Sequence, residues 1–375
     1  MKKNKNIPSK QNKVQSPVIE RSLFEIFESF LAKHSGKIMI SILLLASLFG
    51  FFMFDVKIST GHDDALYIEA GYRYAQNFFG YYYTANAPLY VMLLALPISI
   101  WGINVIILKS FSIVFFVLSL LFLYLAFKKR IPYLILFSVL LIVGINWFAL
   151  SYASLTYTEP FFMMVQALFF IAFFRHIEIL DKNDYKISPT WKSWLLLGFM
   201  LLITTLTRSI AATTIAAVVI YFVYHKKFSA AFYSIISFFI FFALFELTKK
   251  LLWGDVASQF QSQGNVMFQK NAYDASEGNE DFWGFIQRFI GNIKIYLSAR
   301  IWEIIGFRKE DSLVDNAIAV FTVVLLFFGS LMVAIKKKKF AVAIAIYFIT
   351  LASASFFALQ TSWGQGRYIM IHMPF

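Results

Sequence analysis

Nine of the long runs without a charged residue are candidates to cross a lipid bilayer as helices, and most of them are long enough to do so. A spanning helix needs about 20 mostly apolar residues, with a range of about 17–25. The runs are residues 38–54, 110–127, 131–158, 160–174, 193–207, 209–224, 228–245, 316–335 and 340–366. We therefore predict an all-α, polytopic transmembrane bundle of about nine membrane segments. The two short runs beside Arg208 could instead form one broken hairpin.

The composition agrees with a membrane protein and excludes several other classes. Hydrophobic residues make up 59% of the chain and charged residues 15%, whereas soluble domains are about 45–50% apolar and about 25% charged. The chain has no cysteine, which excludes disulfides, thiolate nucleophiles and cysteine metal sites. It also lacks the Gly-x-x-x-x-Gly-Lys, His-Glu-x-x-His and Asp-x-Asp motifs of phosphate-loop, metalloprotease and nucleotide-sugar sites.

The net charge of +13 is distributed unevenly between the connecting segments. If the N-terminus is cytoplasmic and the nine runs alternate, the cytoplasmic segments carry +5, +3, +1, +2 and +4, which leaves −2 for the rest. These segments are residues 1–37, 128–130, 175–192, 226–227 and 336–339. Short basic loops remain on the cytoplasmic side of a membrane. We therefore predict a multi-pass protein of the cell inner (cytoplasmic) membrane and no nucleic-acid partner.

The chain divides into a basic tail over residues 1–37 and a transmembrane domain over residues 38–375. We predict a short interfacial helix in the tail, with one apolar face made of Leu23, Phe24, Phe27, Phe30 and Leu31. The domain has two long extracytoplasmic loops, residues 55–103 and 253–312. An apolar stripe over residues 282–307 predicts an amphipathic interfacial helix, because the stripe is interrupted by Arg288, Lys294, Arg300 and Glu303.

The first outer loop carries an acidic pair, Asp63 and Asp64, near the start of a predicted helix. These carboxylates could simply cap the helix, where its dipole favours negative charge. Either could instead act as a general base for a sugar or lipid hydroxyl. Tyr67 lies on the same helical face as Asp63. A divalent cation is also possible, held by His62 with the two aspartates, but three adjacent residues make a poor ligand set.

The rest of this loop has mainly structural interpretations. Glu69 and Arg73 are four residues apart and predict a surface ion pair. The tyrosines at 81–83 indicate an interfacial aromatic belt, with sugar stacking as the alternative. Pro88 and Pro97 divide a stretch that is too short to span the bilayer, so we predict a helix that dips into the outer leaflet.

Two arginines lie where an unpaired charge is costly. Arg208 separates two apolar runs, and Arg367 follows a long charge-free run. An arginine in such a position is a functional hypothesis by default, and a guanidinium binds phosphate through two parallel hydrogen bonds. The alternative for Arg208 is a structural ion pair with Glu159 or with a loop acid. Glu159 precedes Pro160 at a predicted helix start, where the dipole alone favours a carboxylate.

Together these motifs resemble the GT-C superfamily of membrane glycosyltransferases, and within it the family 39 group of protein mannosyltransferases and the lipid A aminoarabinose transferase. The resemblance extends over roughly residues 38–375. The matching pieces, in order, are Asp63-Asp64-Ala-Leu-Tyr67, Pro88-Leu-Tyr90 with Trp101-Gly102, Thr158-Glu159-Pro160-Phe161, Leu206-Thr207-Arg208-Ser209 and Gly366-Arg367-Tyr368 with Pro374.

This resemblance implies an inverting glycosyltransferase that moves a sugar from a polyprenyl-phosphate donor to a hydroxyl of a lipid, glycan or protein acceptor at the outer face of the membrane. It implies Asp63 as the catalytic base, with Asp64 as second choice. Arg208 and Arg367 would bind the phosphate. The remaining substrate-binding residues would be Tyr67, Glu159 and Tyr368. No cofactor is certain, and a divalent cation stays possible.

Two departures from the family pattern keep other functions open. Asn86-Ala87-Pro88 stands where the aminoarabinose transferase has Lys-Pro-Pro, which disfavours that substrate. Family members continue with further membrane helices after the last motif, so this sequence is expected to be a fragment or a minimal form. The alternatives are a lipid-sugar flippase or small-solute transporter, which would place its charges near the bilayer midplane, and a catalytically inactive assembly partner.

Overall fold

A computed structural model describes residues 22–54, 62–257, 259–309 and 312–375, which are helical and contain no β-strand. The α-helices are α1 (Leu23–Lys33), α2 (Ser35–Phe52), α3 (His62–Gln76), α4 (Pro88–Trp101), α5 (Val105–Phe127), α6 (Tyr133–Ile145), α7 (Trp147–Ala153), α8 (Thr158–Lys182), α9 (Trp191–Thr207), α10 (Thr213–Tyr224), α11 (Phe228–Trp253), α12 (Gln259–Phe268), α13 (Phe282–Ile295), α14 (Ile301–Ile305), α15 (Asn316–Lys336), α16 (Lys339–Ala358) and α17 (Arg367–Met370). Four short 3-10 segments are Ser188–Thr190, Ser209–Ala212, Ala275–Glu277 and Thr361–Trp363, and Tyr296–Arg300 forms a π-turn.

Seven helices of the described chain are long and apolar enough to cross a membrane, which confirms the helical class and is consistent with a multi-pass membrane protein. They are α2, α5, α8, α9 with its preceding 3-10 turn, α11, α15 and α16. The predicted count of nine is not reproduced. The run at 131–158 forms α6 and α7, which meet at an angle of 58° and give an eighth span only if counted together, and the segment Ser209–Tyr224 is short.

The bend between α6 and α7 has a local cause at Asn146. Its side-chain oxygen accepts a hydrogen bond from the backbone N–H of Ala149 at 2.9 Å, which caps α7. Its side-chain amide donates to the carbonyl oxygen of Ile304 at 2.6 Å, in the second long loop. A polar cap in the middle of an apolar run therefore ends one helix and starts another, which a length criterion does not detect.

The centre of the bundle is α8, the most buried of the spans, which packs against α5 and α9. Its core face is aromatic, and Phe169, Phe170 and Phe174 are fully buried among rings from neighbouring helices. The buried amide of Gln166 donates to the hydroxyl of Tyr347 on α16 at 2.7 Å. In contrast, α15 contacts the bundle along little of its length, so most of its apolar surface is exposed.

Ion pairs bring the basic turns together at one end of the bundle. Arg130, in the turn after α5, pairs with Glu178 near the end of α8 at 2.7 Å. Lys339, at the start of α16, pairs with Asp181 on the same part of α8 at 2.5 Å. We call this the basic end. Its cytoplasmic location remains a prediction.

The short helix α1 also lies at the basic end. The carboxylate of Glu28 accepts hydrogen bonds from the backbone N–H groups of Tyr133 and Leu134, so it caps α6 at distances of 2.5 and 3.0 Å. The predicted apolar face of α1 is exposed at Leu23, Phe24, Phe27 and Phe30, whereas Leu31 packs into the bundle. Residues 1–21 of the predicted basic tail lie outside the described residues.

The segment of the predicted interfacial helix, residues 282–307, forms α13, the π-turn Tyr296–Arg300 and α14, and three of its four charged side chains are largely covered. Its position along a membrane surface stays a prediction. Arg288 pairs with Glu280 at 2.6 Å, and both side chains are largely covered. Arg300 pairs with Glu303 at 2.7 Å, also mostly covered. Only Lys294 of the four interrupting residues is exposed. The charges therefore do not mark a solvated face, since each buried arginine finds a carboxylate partner nearby.

Candidate functional site

The first element of the site is the break between α9 and α10 at Arg208. The hydroxyls of Thr204, Thr205 and Thr207 each donate to a backbone carbonyl four residues earlier, a pattern that weakens a helix. Arg208 then adopts an extended backbone with φ −152° and ψ 135°, before the 3-10 turn Ser209–Ala212. The break points the guanidinium across the bundle toward the start of α8.

At that start, Arg208 meets Glu159. Its Nη1 lies 2.8 Å from a carboxylate oxygen of Glu159 and donates to the hydroxyl of Thr158 at 2.9 Å. The Glu159 side chain is 2% exposed and that of Arg208 is 13% exposed. The structural alternative considered for Arg208, an ion pair with Glu159, is therefore present. It leaves the arginine partly open to the adjacent cavity.

A second ion pair joins two parts of the chain that are far apart in sequence, α17 and the start of α3. Arg367 opens α17, and its Nη1 lies 2.5 Å from a carboxylate oxygen of Asp63 near the start of α3. Its Nη2 donates to the hydroxyl of Tyr368 at 2.9 Å, and its guanidinium lies over the ring of Tyr157 at 5.4 Å. Its buried Nε–H has no hydrogen-bond partner among the described residues.

The electrostatics of the site keep its arginines charged and its tyrosine neutral. Burial disfavours the charge on Arg367, but the neighbouring groups Glu159, Tyr368 and Asp63 outweigh it and raise the pKa of Arg367. Burial, together with the charges of Glu159 and Asp63, raises the pKa of the Tyr67 hydroxyl above its ordinary value of 10.0. Tyr67 therefore remains a hydrogen-bond donor over the physiological pH range.

Tyr67 connects this site to Asn86. The side-chain amide of Asn86 donates to the Tyr67 hydroxyl at 3.1 Å, while the Tyr83 hydroxyl donates to the Asn86 carbonyl at 3.4 Å. Asn86 thus orients the Tyr67 hydroxyl. It is Asn86 that stands where the aminoarabinose transferase pattern, to which the motifs were compared, has lysine. The predicted exposed pair of Glu69 and Arg73, on the same helix, is confirmed at 2.6 Å.

The two adjacent aspartates have different surroundings. The Asp63 side chain is 34% exposed and faces the cavity, whereas Asp64 is fully buried. A carboxylate oxygen of Asp64 accepts from the N–H of the next residue, Ala65, at 2.9 Å. This is not a helix cap, in which the side chain accepts from the N–H two or three residues further on. No group of three or more metal-ligating side chains occurs among the described residues, and the side chain of His62 lies outside them.

One cavity of about 670 Å³ collects most of these groups. Of the predicted site residues, Asp63, Arg208, Arg367 and Tyr368 line it. Tyr67 and Glu159 do not line the cavity themselves, but they contact the lining residues Asn86 and Arg208, respectively. Asp64 does not line the cavity. Several polar and aromatic lining residues were not among the predicted site residues, namely Asn86, Ser209, Thr213, Gln263, Tyr273 and Trp363. The only signal for the loop residues was the glutamine- and asparagine-rich composition of the second outer loop.

The cavity has a cover made by α12, which contributes Phe260, Gln263 and Met267 to the lining. Arg288 of α13 holds the end of this cover by donating to the carbonyl oxygens of Met267 and Gln269 at 2.7 and 2.8 Å. Gln360, beyond α16, donates to the same Gln269 carbonyl at 2.9 Å. The buried Arg288 thus positions the loop over the cavity.

No protein-family model matches this chain, and no curated protein matches it in sequence. What the site does must therefore be inferred from its own side chains and from the motif resemblance described above.

Proposed function

We propose that the protein is an inverting glycosyltransferase of the GT-C type, which uses a polyprenyl-phosphate sugar at the outer face of the cytoplasmic membrane. The observation that carries the proposal is one cavity lined by a carboxylate and two guanidinium groups from three distant parts of the chain: Asp63, Arg208 and Arg367. A base beside phosphate-binding groups is what transfer from a sugar phosphate requires.

In the proposed reaction, an acceptor hydroxyl oxygen attacks the anomeric carbon of the donor sugar. A new carbon–oxygen bond forms on one face while the bond to the phosphate oxygen breaks on the other, and the electron pair leaves with the lipid phosphate. Asp63 takes the hydroxyl proton. Arg208 and Arg367 stabilise the negative charge that grows on the phosphate, a preorganised effect that is usually the largest part of catalysis.

The ion pairs fit this division of roles. Glu159 neutralises Arg208 from behind and is buried, so it holds the guanidinium toward the cavity. Asp63 contacts Arg367, and both residues line the cavity. A donor phosphate arriving at Arg367 would replace this carboxylate contact and release Asp63 to accept a proton. We propose that Tyr67 and Tyr368 orient the bound groups.

The remaining lining of the cavity suits a lipid-linked donor. An apolar flank runs from the break at Arg208 to the end of α16 and includes Ile210, Phe357, Leu359 and Ile371. A polyprenyl chain could lie along this flank with its phosphate at the two arginines. The polar loop residues Asn86 and Gln263, on the cavity wall, would contact the sugar or the acceptor, which can be a lipid, a glycan or a protein.

The test is sugar transfer from a defined polyprenyl-phosphate donor by membranes that contain Asp63→Asn, Asp64→Asn or the control Glu69→Gln. Asp63→Asn should lower transfer about 10²–10⁴-fold, the usual contribution of a general base. Glu69→Gln should leave transfer unchanged, because this acid is exposed on the same helix and paired with Arg73. Full activity in both aspartate variants would reject the carboxylate mechanism.

A lipid-sugar flippase is the second candidate, and the interrupted helix at Arg208 is the observation that favours it. Transporters commonly bind substrate at broken helices. Counterflow of a labelled lipid-linked sugar in vesicles distinguishes the two functions. A transporter would retain counterflow in Asp63→Asn and form no new glycosidic bond in the parent protein.

A further inference from the structure

The basic end contains every non-glycine residue that has a positive φ in the described part of the chain. These residues lie in the four turns that join α5 to α6, α8 to α9, α10 to α11 and α15 to α16. They are Lys129 (φ 66°), Asp184 (φ 50°), Tyr185 (φ 62°), Lys226 (φ 56°) and Lys337 (φ 48°). Three of the four turns thus place a lysine in the left-handed region, which glycine and asparagine adopt more readily.

Elsewhere in the described chain, the positions with a positive φ are glycines. Gly102 and Gly254 follow α4 and α11, and Gly278 and Gly306 lie in the second outer loop. A side-chain carbon at any of these four would meet nothing within 4 Å, so the backbone conformation rather than space accounts for glycine there. Gly306 has a left-handed helical conformation (φ 91°, ψ 10°) similar to that of Lys337 (φ 48°, ψ 28°). Gly102, Gly254 and Gly278 instead have ψ of −164°, −157° and −168°, a region that only glycine adopts readily.

The three lysines are exposed and lack ion pairs with described residues. Lys129, Lys226 and Lys337 are on the surface of their turns. The nearby carboxylates of Glu178 and Asp181 are already paired with Arg130 and Lys339. Their charges therefore face outward. The four turns also contain one exposed carboxylate, that of Asp184, which has no ion pair with a described residue, so the lysines outnumber the free acids there.

Aromatic side chains flank these turns, a combination that is common where protein meets a membrane interface. The ammonium of Lys227 lies over the ring of Tyr185 at 4.1 Å, and that of Lys128 lies over Tyr124 at 5.4 Å. Trp191 and Tyr224, at the ends of two neighbouring helices, are exposed. Exposed rings beside outward-facing lysines are typical of protein surface in contact with lipid headgroups.

We infer that the basic end binds the headgroups of anionic phospholipids and that Lys129, Lys226 and Lys337 make the direct contacts. Membrane orientation alone does not account for them, because orientation depends on the number of cations near a span rather than on their exact positions. The adjacent residues Lys128, Lys227 and Lys336 already supply such cations without left-handed φ. A cation retained at an unfavourable backbone position indicates that a ligand lies opposite it.

The test uses the purified full-length chain in a zwitterionic detergent, with its thermal midpoint measured against added short-chain phosphatidylglycerol or phosphatidylcholine. One variant carries K129N, K226N and K337N, since asparagine removes the charge and tolerates the left-handed conformation. The matched control carries K129R, K226R and K337R, which keeps the charge. Single substitutions K129N and K337N provide the same comparison if the triple asparagine variant does not fold.

Phosphatidylglycerol should raise the midpoint of the parent, and phosphatidylcholine should not. A cation near an anionic membrane surface strengthens association about fivefold, so the triple asparagine variant should need at least about tenfold more phosphatidylglycerol for half of the shift. The arginine control should respond like the parent. An unchanged response of the asparagine variant, or an equal response of the parent to both lipids, would overturn the inference.

Discussion

Replacing Glu159 by glutamine would leave Arg208 charged and mostly buried without its carboxylate partner. The pair is made at 2.8 Å, and its two side chains are only 2% and 13% exposed. The hydroxyl of Thr158 would remain as a neutral acceptor for the guanidinium. The substitution therefore removes one charge and little volume, so its effect on stability reports the electrostatic contribution of the pair.

The expected magnitude follows from the burial of both groups. Removing one partner of a buried ion pair costs about 3–5 kcal/mol, because the remaining charge is uncompensated. Arg208 lines the cavity, where water can reach it, so we expect about 3 kcal/mol for Glu159→Gln. The double variant with Arg208→Met carries neither charge, and it should recover about 2 kcal/mol of this loss.

The measurement is a double-mutant cycle on the free energy of unfolding in mixed detergent micelles, followed by tryptophan fluorescence. The chain offers a matched control in Glu69 and Arg73, which form an ion pair at 2.6 Å but are 55% and 57% exposed. An exposed pair four residues apart on a helix contributes about 0.3–0.5 kcal/mol. The coupling energy of the buried pair should be several times larger.

The reasoning would be refuted if the two cycles gave equal coupling energies. It would also fail if Glu159→Gln and the double variant were destabilised to the same extent, since the unpaired charge would then carry no penalty. A loss of sugar transfer without loss of stability in Glu159→Gln would instead assign this residue to substrate binding.

Three further predictions concern packing, the cavity cover and pH. Gly198→Ala should destabilise the bundle by about 1–3 kcal/mol in unfolding experiments, because the new methyl would overlap the backbone of Ser237 on α11; Gly329→Ala, which meets nothing within 4 Å, should be neutral or stabilising by up to about 1 kcal/mol. Arg288→Met should speed amide hydrogen exchange at residues 259–281 and leave the spans unchanged, and an unchanged exchange rate at 259–281 would contradict the role given to Arg288. The raised pKa keeps the Tyr67 hydroxyl protonated at high pH, so its ionisation does not limit activity there. The pH at which activity falls on the alkaline side should therefore be the same in the parent protein and in Tyr67→Phe.

Sequence reasoning identified the unusual charges and offered Glu159 as one partner for Arg208, but it did not identify the partner of Arg367. Arg208, Glu159 and Arg367 stand out in one dimension, because a charge beside long apolar runs is costly wherever the helices lie. The pairing of Arg367 with Asp63 joins opposite ends of the chain. No rule of sequence spacing predicts a contact between residues so far apart in the chain, since the contact depends on how the intervening helices pack.

The same limit applies to two other elements. The count of nine spans assumed that each apolar run is one helix, whereas Asn146 divides one run by capping α7. The interrupted apolar stripe predicted an interfacial helix, and it did not reveal that Arg288 is buried against Glu280. In both cases a polar side chain found a partner within the protein, and its residue type alone does not reveal that partner.

The sequence by itself determined that the chain forms an apolar helical bundle, because composition and run length fix the solvent in which the helices are stable. It also determined which charged residues require an explanation. Only the tertiary structure decided that Asp63 rather than Asp64 faces a cavity with Arg208 and Arg367. Adjacent residues on a helix point in different directions, and the packing of neighbouring helices selects the one that reaches the cavity.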